Sequence, residues 1–290
     1  MSQTSPNSSS VDDEYDRPHY RQESFEKELA ANPYREDLLL ALQMADEADK
    51  VTSARFGALD LHIEDKPDHT PVTDADRETE ATLRGIIERN RPGDSVYGEE
   101  LGKAESTGRR WILDPIDGTK NFVRGVPVWA TLIGLEVDHE LVVGVVSSPF
   151  LHNRWFAAQG GGAFMGMDVD HASRIHVSKV SRLEHASMSL SSLSGWKERG
   201  DRNRLIELTD RLWRLRGFGD FWQYMLVAQG AIDIAAEPEL DLYDMAALVP
   251  IVTEAGGSFT DLQGNPGPWG GCGVATNGPL HEQVLDYLRL

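Results

Sequence analysis

Among its 290 residues the chain has one cysteine, Cys272, so an intramolecular disulfide and a four-cysteine zinc site are both excluded. Nowhere does it approach 18 uninterrupted apolar residues, which removes a membrane-spanning helix. The first ten residues carry neither a basic nor an apolar stretch and do not read as a secretory signal. Basic residues are scarce, with 28 Lys and Arg against 47 Asp and Glu, a formal net charge of −19. A chain this acidic, with no basic stripe, suits neither nucleic acid nor an anionic membrane as partner. The nine histidines form no His-x-His or His-x3-His pair, which argues against zinc. A cytoplasmic location is the expectation these exclusions leave.

Residues 1–33 are rich in Ser, Asn, Asp and Glu and show no sustained apolar period. They read as a disordered acidic tail, because such a segment buries too little surface to offset its ordering entropy. Residues 11–32 hold seven acidic and three basic side chains, so most of the negative charge belongs to the body. With 40% hydrophobic residues in the chain, residues 34–290 read as one folded unit of two closely packed α/β halves, about 34–175 and 176–290. Leu38, Ala41, Leu42, Ala45 and Ala48 recur at helical spacing and build one apolar stripe. A second helix is expected from Asp76 to Asn90, stopped by Arg91-Pro92-Gly93-Asp94. Short buried strands are expected at 95–97 and 111–113. The β-rich runs 128–137 and 141–147, parted by Asp138 and His139, read as an antiparallel hairpin, and 154–158 adds a strand. Further helices are expected near 203–213, 221–230, 243–255 and 279–289, with strands near 231–236, 258–260 and 272–275. Such a mixture points to α/β or α+β layers and away from a barrel.

The richest stretch runs from Trp111 to Phe122 and contains Asp114-Pro115-Ile116-Asp117-Gly118-Thr119. A strand is expected to end at Asp114, Pro115 to turn the chain, and Gly118 and Thr119 to open a helix. Two carboxylates so spaced can converge on a hard cation, and the Ile116 carbonyl between them offers a third oxygen. The Gly118 and Thr119 amides would stand at a helix N-terminus, which favours phosphate. Alone, the segment reads equally as a capped turn. Other acids follow the same habit. Glu99 and Glu100 follow a short apolar strand, Asp74 and Asp76 precede a helix, and Asp244 starts another. Asp74 reads as a plain first-turn acid. Caps alone do not explain so many acids at the ends of buried apolar runs, because clustered buried carboxylates need cations or hydrogen bonds.

Gly98-Glu99-Glu100, the Asp114 to Thr119 segment, and Tyr243-Asp244 with Ile251-Val-Thr-Glu-Ala-Gly-Gly257 together resemble the inositol monophosphatase superfamily. The resemblance runs from about Tyr34 to the C-terminus. It implies an α/β (α+β) layered α-β-α-β-α sandwich, assembled as a homodimer, that hydrolyses small phosphate esters. The implied cofactor is Mg²⁺, two to three ions per site, with Mn²⁺ as an alternative. By this resemblance Glu99, Asp114 and the Ile116 carbonyl match the ligands of a first ion. Asp114, Asp117 and Asp244 match those of a second, and Glu99 reaches a third through water. Asp76 and Thr119 match the pair that orients and deprotonates the attacking water. Ile116, Asp117, Gly118, Thr119 and Asp244 fall where the family binds the phosphate end of its substrate. Lys66 occupies roughly the place of a lysine near the phosphate. Pro250 departs from the pattern and should bend the helix that follows Asp244.

Gly219-Asp220-Phe221-Trp222 resembles the histidinol-phosphatase branch of this family. L-Histidinol phosphate carries an ammonium and a protonatable imidazole, which Asp220 would pair with, and Phe221, Trp222 or Tyr224 could stack on. Glu237 matches a position that contacts the substrate away from its phosphate. Phe221 also recurs with Met225 and Ala228 at helical spacing, which reads as core, and Trp222 reads either way. Arg216 reads as a surface residue and Cys272 as inert. Inositol monophosphate is the alternative substrate. Fructose 1,6-bisphosphate and 3′-phosphoadenosine nucleotides lack a basic cluster for their second phosphate. A non-catalytic metal-binding regulator is the reading from another functional class.

Overall fold

The computed structural model describes residues 29–67, 70–104 and 108–289. The tail expected over 1–28 lies outside them. Helix α1 (Arg35–Arg55) buries the predicted stripe of Leu38, Ala41, Leu42, Ala45 and Ala48. Strands β1 (Ile63–Asp65) and β2 (Pro71–Thr73) pair antiparallel and lead into α2 (Asp74–Asn90). Then come β3 (Ser95–Gly98), β4 (Arg109–Asp117), α3 (Thr119–Arg124), β5 (Ala130–Val137), β6 (Glu140–Ser148), β7 (Asn153–Ala158), β8 (Gly162–Met165) and β9 (Ser173–Ile175). Strands β3 to β9 form a seven-stranded sheet in chain order, in which β3 and β4 run parallel and every other pair antiparallel. Asp138 and His139, both at positive φ, make the hairpin turn between β5 and β6.

The remainder supplies β10 (Ser187–Ser189), α4 (Ser194–Arg199), α5 (Arg202–Thr209), β11 (Arg214–Arg216), α6 (Asp220–Ala228) and β12 (Ile234–Glu237). After these come α7 (Leu242–Met245), α8 (Leu248–Glu254), β13 (Ser258–Thr260), β14 (Gly273–Thr276) and α9 (His281–Leu288). Their five strands form a second sheet in the order β11-β10-β12-β14-β13. Alternation along the strands sorts side chains into layers. Trp111, Leu113, Ile133 and Leu135 pack on α1 and α2 through Leu38, Ala45, Leu83 and Ile87. Ala130, Leu132 and Val146 face the other way, onto Phe221 and Met225 of α6 and Leu248 and Ile251 of α8. Those helices cover Ala235 and Ala275 of the second sheet, whose outer face, with Ile234 and Val274, packs on Leu205 of α5 and Leu285 of α9. The result is the α-β-α-β-α sandwich that the sequence implied.

Four local expectations are corrected. Leu29 is fully buried and Asn32 donates to the Gln159 carbonyl, so contact with the body begins before the boundary expected at residue 34. One leucine entering a core leaves no periodic signal. Strand β4 does not end at Asp114 but continues to Asp117 through an irregularity. The helix expected at 203–213 stops at Thr209, because Arg214–Arg216 pair in parallel with β10 as the sheet edge. The helix expected at 243–255 is two helices that break at Ala246 and Ala247. Pro250 then sits in the first turn of α8, where its missing N–H costs nothing.

That break is pressed onto two glycines paired across β5 and β6. A Cβ on Gly144 would stand 2.1 Å from the Ala247 carbonyl oxygen, and one on Gly134 would stand 2.9 Å from Ala246. The glycines set how closely α7, and with it Asp244, approaches the sheet. Gly144→Ala is therefore expected to destabilise the protein by about 1–3 kcal/mol, as overpacking does, and more than Gly134→Ala. Urea unfolding midpoints of the two variants measure this.

Candidate active site

Asp114 and Asp117 are three residues apart, and in a regular strand they would point to opposite faces. The irregularity in β4 prevents this. Pairing with β5 lapses between the two residues, where the Pro115 carbonyl accepts from the Thr131 hydroxyl at 2.8 Å instead. Asp114 Oδ1 accepts the Ile116 amide at 3.0 Å. Gly118 then turns the chain at a φ of +83°, a conformation that favours glycine, and Thr119 opens α3. Asp117 Oδ2 accepts the Phe221 amide at 2.8 Å, and Asp244 Oδ2 accepts the Asp241 amide at 2.7 Å in the capping box of α7. One carboxylate oxygen each from Asp114, Asp117 and Asp244 lies within 4.8 Å of the others.

Glu99 leaves the turn after β3 within hydrogen-bonding reach of Asp114. Lys66 donates to Glu99 at 2.6 Å and pairs with Glu100 at 2.5 Å. Asp76 receives the Thr73 amide at 2.7 Å and the Thr73 hydroxyl at 2.6 Å. Across from it, the Thr119 hydroxyl lies 3.3 Å from Asp76 Oδ1 and 2.9 Å from the Ile116 carbonyl oxygen. The structure thus brings Asp76, Glu99, Asp114, Ile116, Asp117, Thr119 and Asp244 together.

Burial and mutual repulsion act on these acids jointly. Asp114 and Asp117 are held well above the ordinary carboxylate range, first by desolvation and then by neighbouring charges, Glu99, Asp117 and Asp244 for Asp114 and Asp220, Asp244 and Glu99 for Asp117. Desolvation and the Glu99, Asp241 and Asp220 charges push Asp244 up to about 7. Asp76 is raised to about 6 by desolvation, against the Thr73 hydrogen bonds. An all-oxygen set this crowded fits a hard divalent cation.

On the other side of the cluster, Asp220 begins α6 at a φ of +44°. Its Oδ2 accepts Asn121 Nδ2 at 2.8 Å, and its amide donates to Ser191 Oγ at 3.2 Å. Glu237, at the end of β12, accepts the Ser191 amide at 2.7 Å and Gln223 Nε2 at 2.6 Å. Of the loop aromatics, Phe221 and Tyr224 are fully buried, packed against Trp155 and Phe259, and so belong to the core. Trp222 is half-buried, edge-on to Phe218. Arg216 is exposed and Cys272 is buried. Sequence reasoning missed Asn121, Ser191 and Gln223, which orient Asp220 and Glu237. Ser191 lies 29 residues from Asp220, and no local pattern marks that contact.

The sign of the pH effect follows from these shifts. Without a cation the folded protein holds a proton on Asp244 more tightly than the unfolded chain does, and burial acts in the same direction on Asp114 and Asp117. For Asp244 this contribution to stability is present below the unfolded value near 3.8 and is lost as pH rises through about 7, and the other two act with the same sign. Melting temperatures in EDTA are expected to fall from pH 5 to pH 8, and Mg²⁺ to remove most of that fall. A melting temperature in EDTA that rises over this range contradicts the account.

With the geometry in hand, comparison with known proteins is direct. The model of the inositol monophosphatase family matches residues 34–289. A histidinol-phosphatase of Mycobacterium tuberculosis is 58% identical over 255 residues, covering 88% of this chain and 98% of that protein. A histidinol-phosphatase of Streptomyces coelicolor is 55% identical, again over 88% of this chain and 98% of the relative. Among solved structures, an inositol monophosphatase from Zymomonas mobilis superposes with a TM-score of 0.78 at 33% identity, covering 89% of this chain and all of that one. The chain belongs to the inositol monophosphatase family, and is an enzyme of the phosphoric monoester hydrolase class.

Proposed function

We propose that this enzyme hydrolyses L-histidinol phosphate to L-histidinol and phosphate in histidine biosynthesis. The observation that carries this reading is the pair of carboxylates, Asp220 and Glu237, held beside the acidic cluster. A cationic leaving group gains from two negative charges where a neutral polyol gains little. The near full-length identity to two histidinol-phosphatases supports the same substrate.

In this reading Glu99, Asp114, Asp117, Asp244 and the Ile116 carbonyl hold two to three Mg²⁺ ions, with Mn²⁺ able to replace them. When bound, the cations neutralise charge that develops on the phosphoryl oxygens and leaving group. The protein's own residues supply positioning and proton transfer. Gly118 and Thr119 offer amides to the phosphate at the start of α3. The Thr119 hydroxyl, shared between Asp76 and the Ile116 carbonyl, orients a water, and Asp76 takes that water's proton as the new P–O bond forms and the ester P–O bond breaks, the departing alkoxide gaining a proton from solvent water to leave as the alcohol. An acid raised to about 6 is well matched to that task near neutral pH. The family reading also supports a homodimer in the cytoplasm. Among the described residues no helix is long and apolar enough to cross a membrane.

The deciding assay is phosphate release from L-histidinol phosphate, myo-inositol 1-phosphate and fructose 1,6-bisphosphate, each with Mg²⁺ and with EDTA. Two charge-assisted contacts at about 1.5–3 kcal/mol each predict kcat/KM at least about a hundredfold higher for histidinol phosphate. A preference for inositol phosphate refutes the substrate assignment. Asp114→Asn is expected to lower activity beyond the roughly 10- to 100-fold that loss of an outer partner of a metal ligand costs, with the fold intact by circular dichroism. Asp220→Asn, which removes the charge but tolerates the same positive φ, is expected to raise KM for histidinol phosphate roughly 10- to 100-fold while leaving an uncharged ester almost unaffected. Equal effects on both esters make Asp220 structural.

A further inference from the structure

Glu80 lies one helical turn beyond Asp76 on α2 and is completely buried. No step proposed above uses it. Its carboxylate accepts the amides of Glu100 at 2.7 Å and Leu101 at 3.1 Å. Arg84, a further turn along, donates to it at 2.7 Å and reaches the Gly102 carbonyl at 2.5 Å. The turn after β3 therefore closes around one carboxylate. Gly98 is part of that closure, because a Cβ there would stand 1.9 Å from Glu80 Oε1. A buried carboxylate is costly unless its acceptors are filled, and here the filling donors belong to the turn. Glu99 projects from the same turn, toward Lys66 on one side and Asp114 on the other.

We infer that Glu80, clasped by Arg84, is a positioning residue that fixes this turn so that Glu99 stands beside Asp114 as a cation ligand. The inference rests on the reading of Glu99 as a ligand. The competing role is a purely structural one, in which Glu80 ties the turn to α2 without affecting cation binding. The two roles differ in what they do to Mg²⁺ affinity when no substrate is present.

Titration calorimetry of the full chain with Mg²⁺ separates them, using wild type, Glu80→Gln and Arg84→Met. Glu80→Gln keeps the side chain's shape but turns hydrogens toward an amide that needs an acceptor. Its Mg²⁺ dissociation constant is expected to rise about 10- to 100-fold, as for lost outer partners of metal ligands elsewhere. Arg84→Met, at a partly exposed site, is expected to shift it in the same direction by a smaller factor. In steady-state assays the turnover deficit of both variants should close as Mg²⁺ is raised, with KM for the phosphate ester little changed. Wild-type Mg²⁺ affinity in folded Glu80→Gln overturns the inference. Should that variant not fold, as read by circular dichroism, unchanged affinity in Arg84→Met overturns it instead. Failure of the wild-type protein to bind Mg²⁺ refutes the cation site and this inference together, whereas normal binding by wild type and variants alike refutes the inference alone.

Discussion

Everything in this site depends on holding carboxylates close together although they repel. The solution is the same for five of the acids. Backbone amides take one oxygen of each acid: Ile116 for Asp114, Phe221 for Asp117, Asp241 for Asp244, Thr73 for Asp76, and Ser191 for Glu237. An amide stabilises the charged form without bringing a competing cation, and it cannot swing away. It also fixes which oxygen stays free for something else. Most of these donors stand at or near helix starts, where the dipole further favours negative charge. Thr119 opens α3 and Asp220 α6, while Asp76 and Asp244 lie in the first turns of α2 and α7.

The layered fold exists in a form that allows this convergence. α2 comes from the outer layer, α3 from the end of β4, and α6 and α7 from the layer between the sheets. Their starts meet only if the middle layer lies close on the first sheet, which Gly134 and Gly144 permit by presenting no side chain. Away from the site, ion pairs tie α1 to the rest of the fold. Arg154 is almost wholly buried, bound by Asp46, Asp49 and Ser147, and so ties α1 to the sheet. Asp37 does the same at the other end of α1, through Arg91 and Arg109. Such pairs add little net stability, but a one-sided loss would leave a buried charge.

What could be read from the sequence was whatever is local. The stripe on α1, the β5–β6 hairpin and the Asp114 to Thr119 segment carry their signal within a dozen residues. The acids were conspicuous because each ends an apolar run. Nothing local marks Leu29 as core, or Arg214–Arg216 as a strand, since both are decided by a partner distant in sequence. The same holds for Ser191, which serves Asp220 and Glu237 at once. Glu80 was hidden in another way, because a glutamate inside a charged helix looks like an exposed one until Gly98 is seen packed against it. Phe221 shows the converse. Its helical spacing with Met225 reads as core although it also stands among the rings that could face a ligand, and the core reading is correct.

The substrate loop and the acidic cluster are parts of a single turn. Gly219 brings the chain in, Asp220 points its carboxylate back to Asn121 on α3, and the next amide, from Phe221, holds Asp117. Asp220 can do this at a φ of +44° because aspartate tolerates the left-handed region better than most side chains, whereas a β-branched residue would strain the turn. A glycine would satisfy the backbone and lose the charge. A glutamate would keep the charge and move it by a bond. Aspartate meets both demands, so the residue that the proposed function sets against a cationic leaving group also sets the conformation by which the next amide grips Asp117. In that reading substrate preference and the geometry of the cluster are joined through two consecutive residues, and a change at Asp220 spares the cluster only where the new side chain tolerates the same conformation.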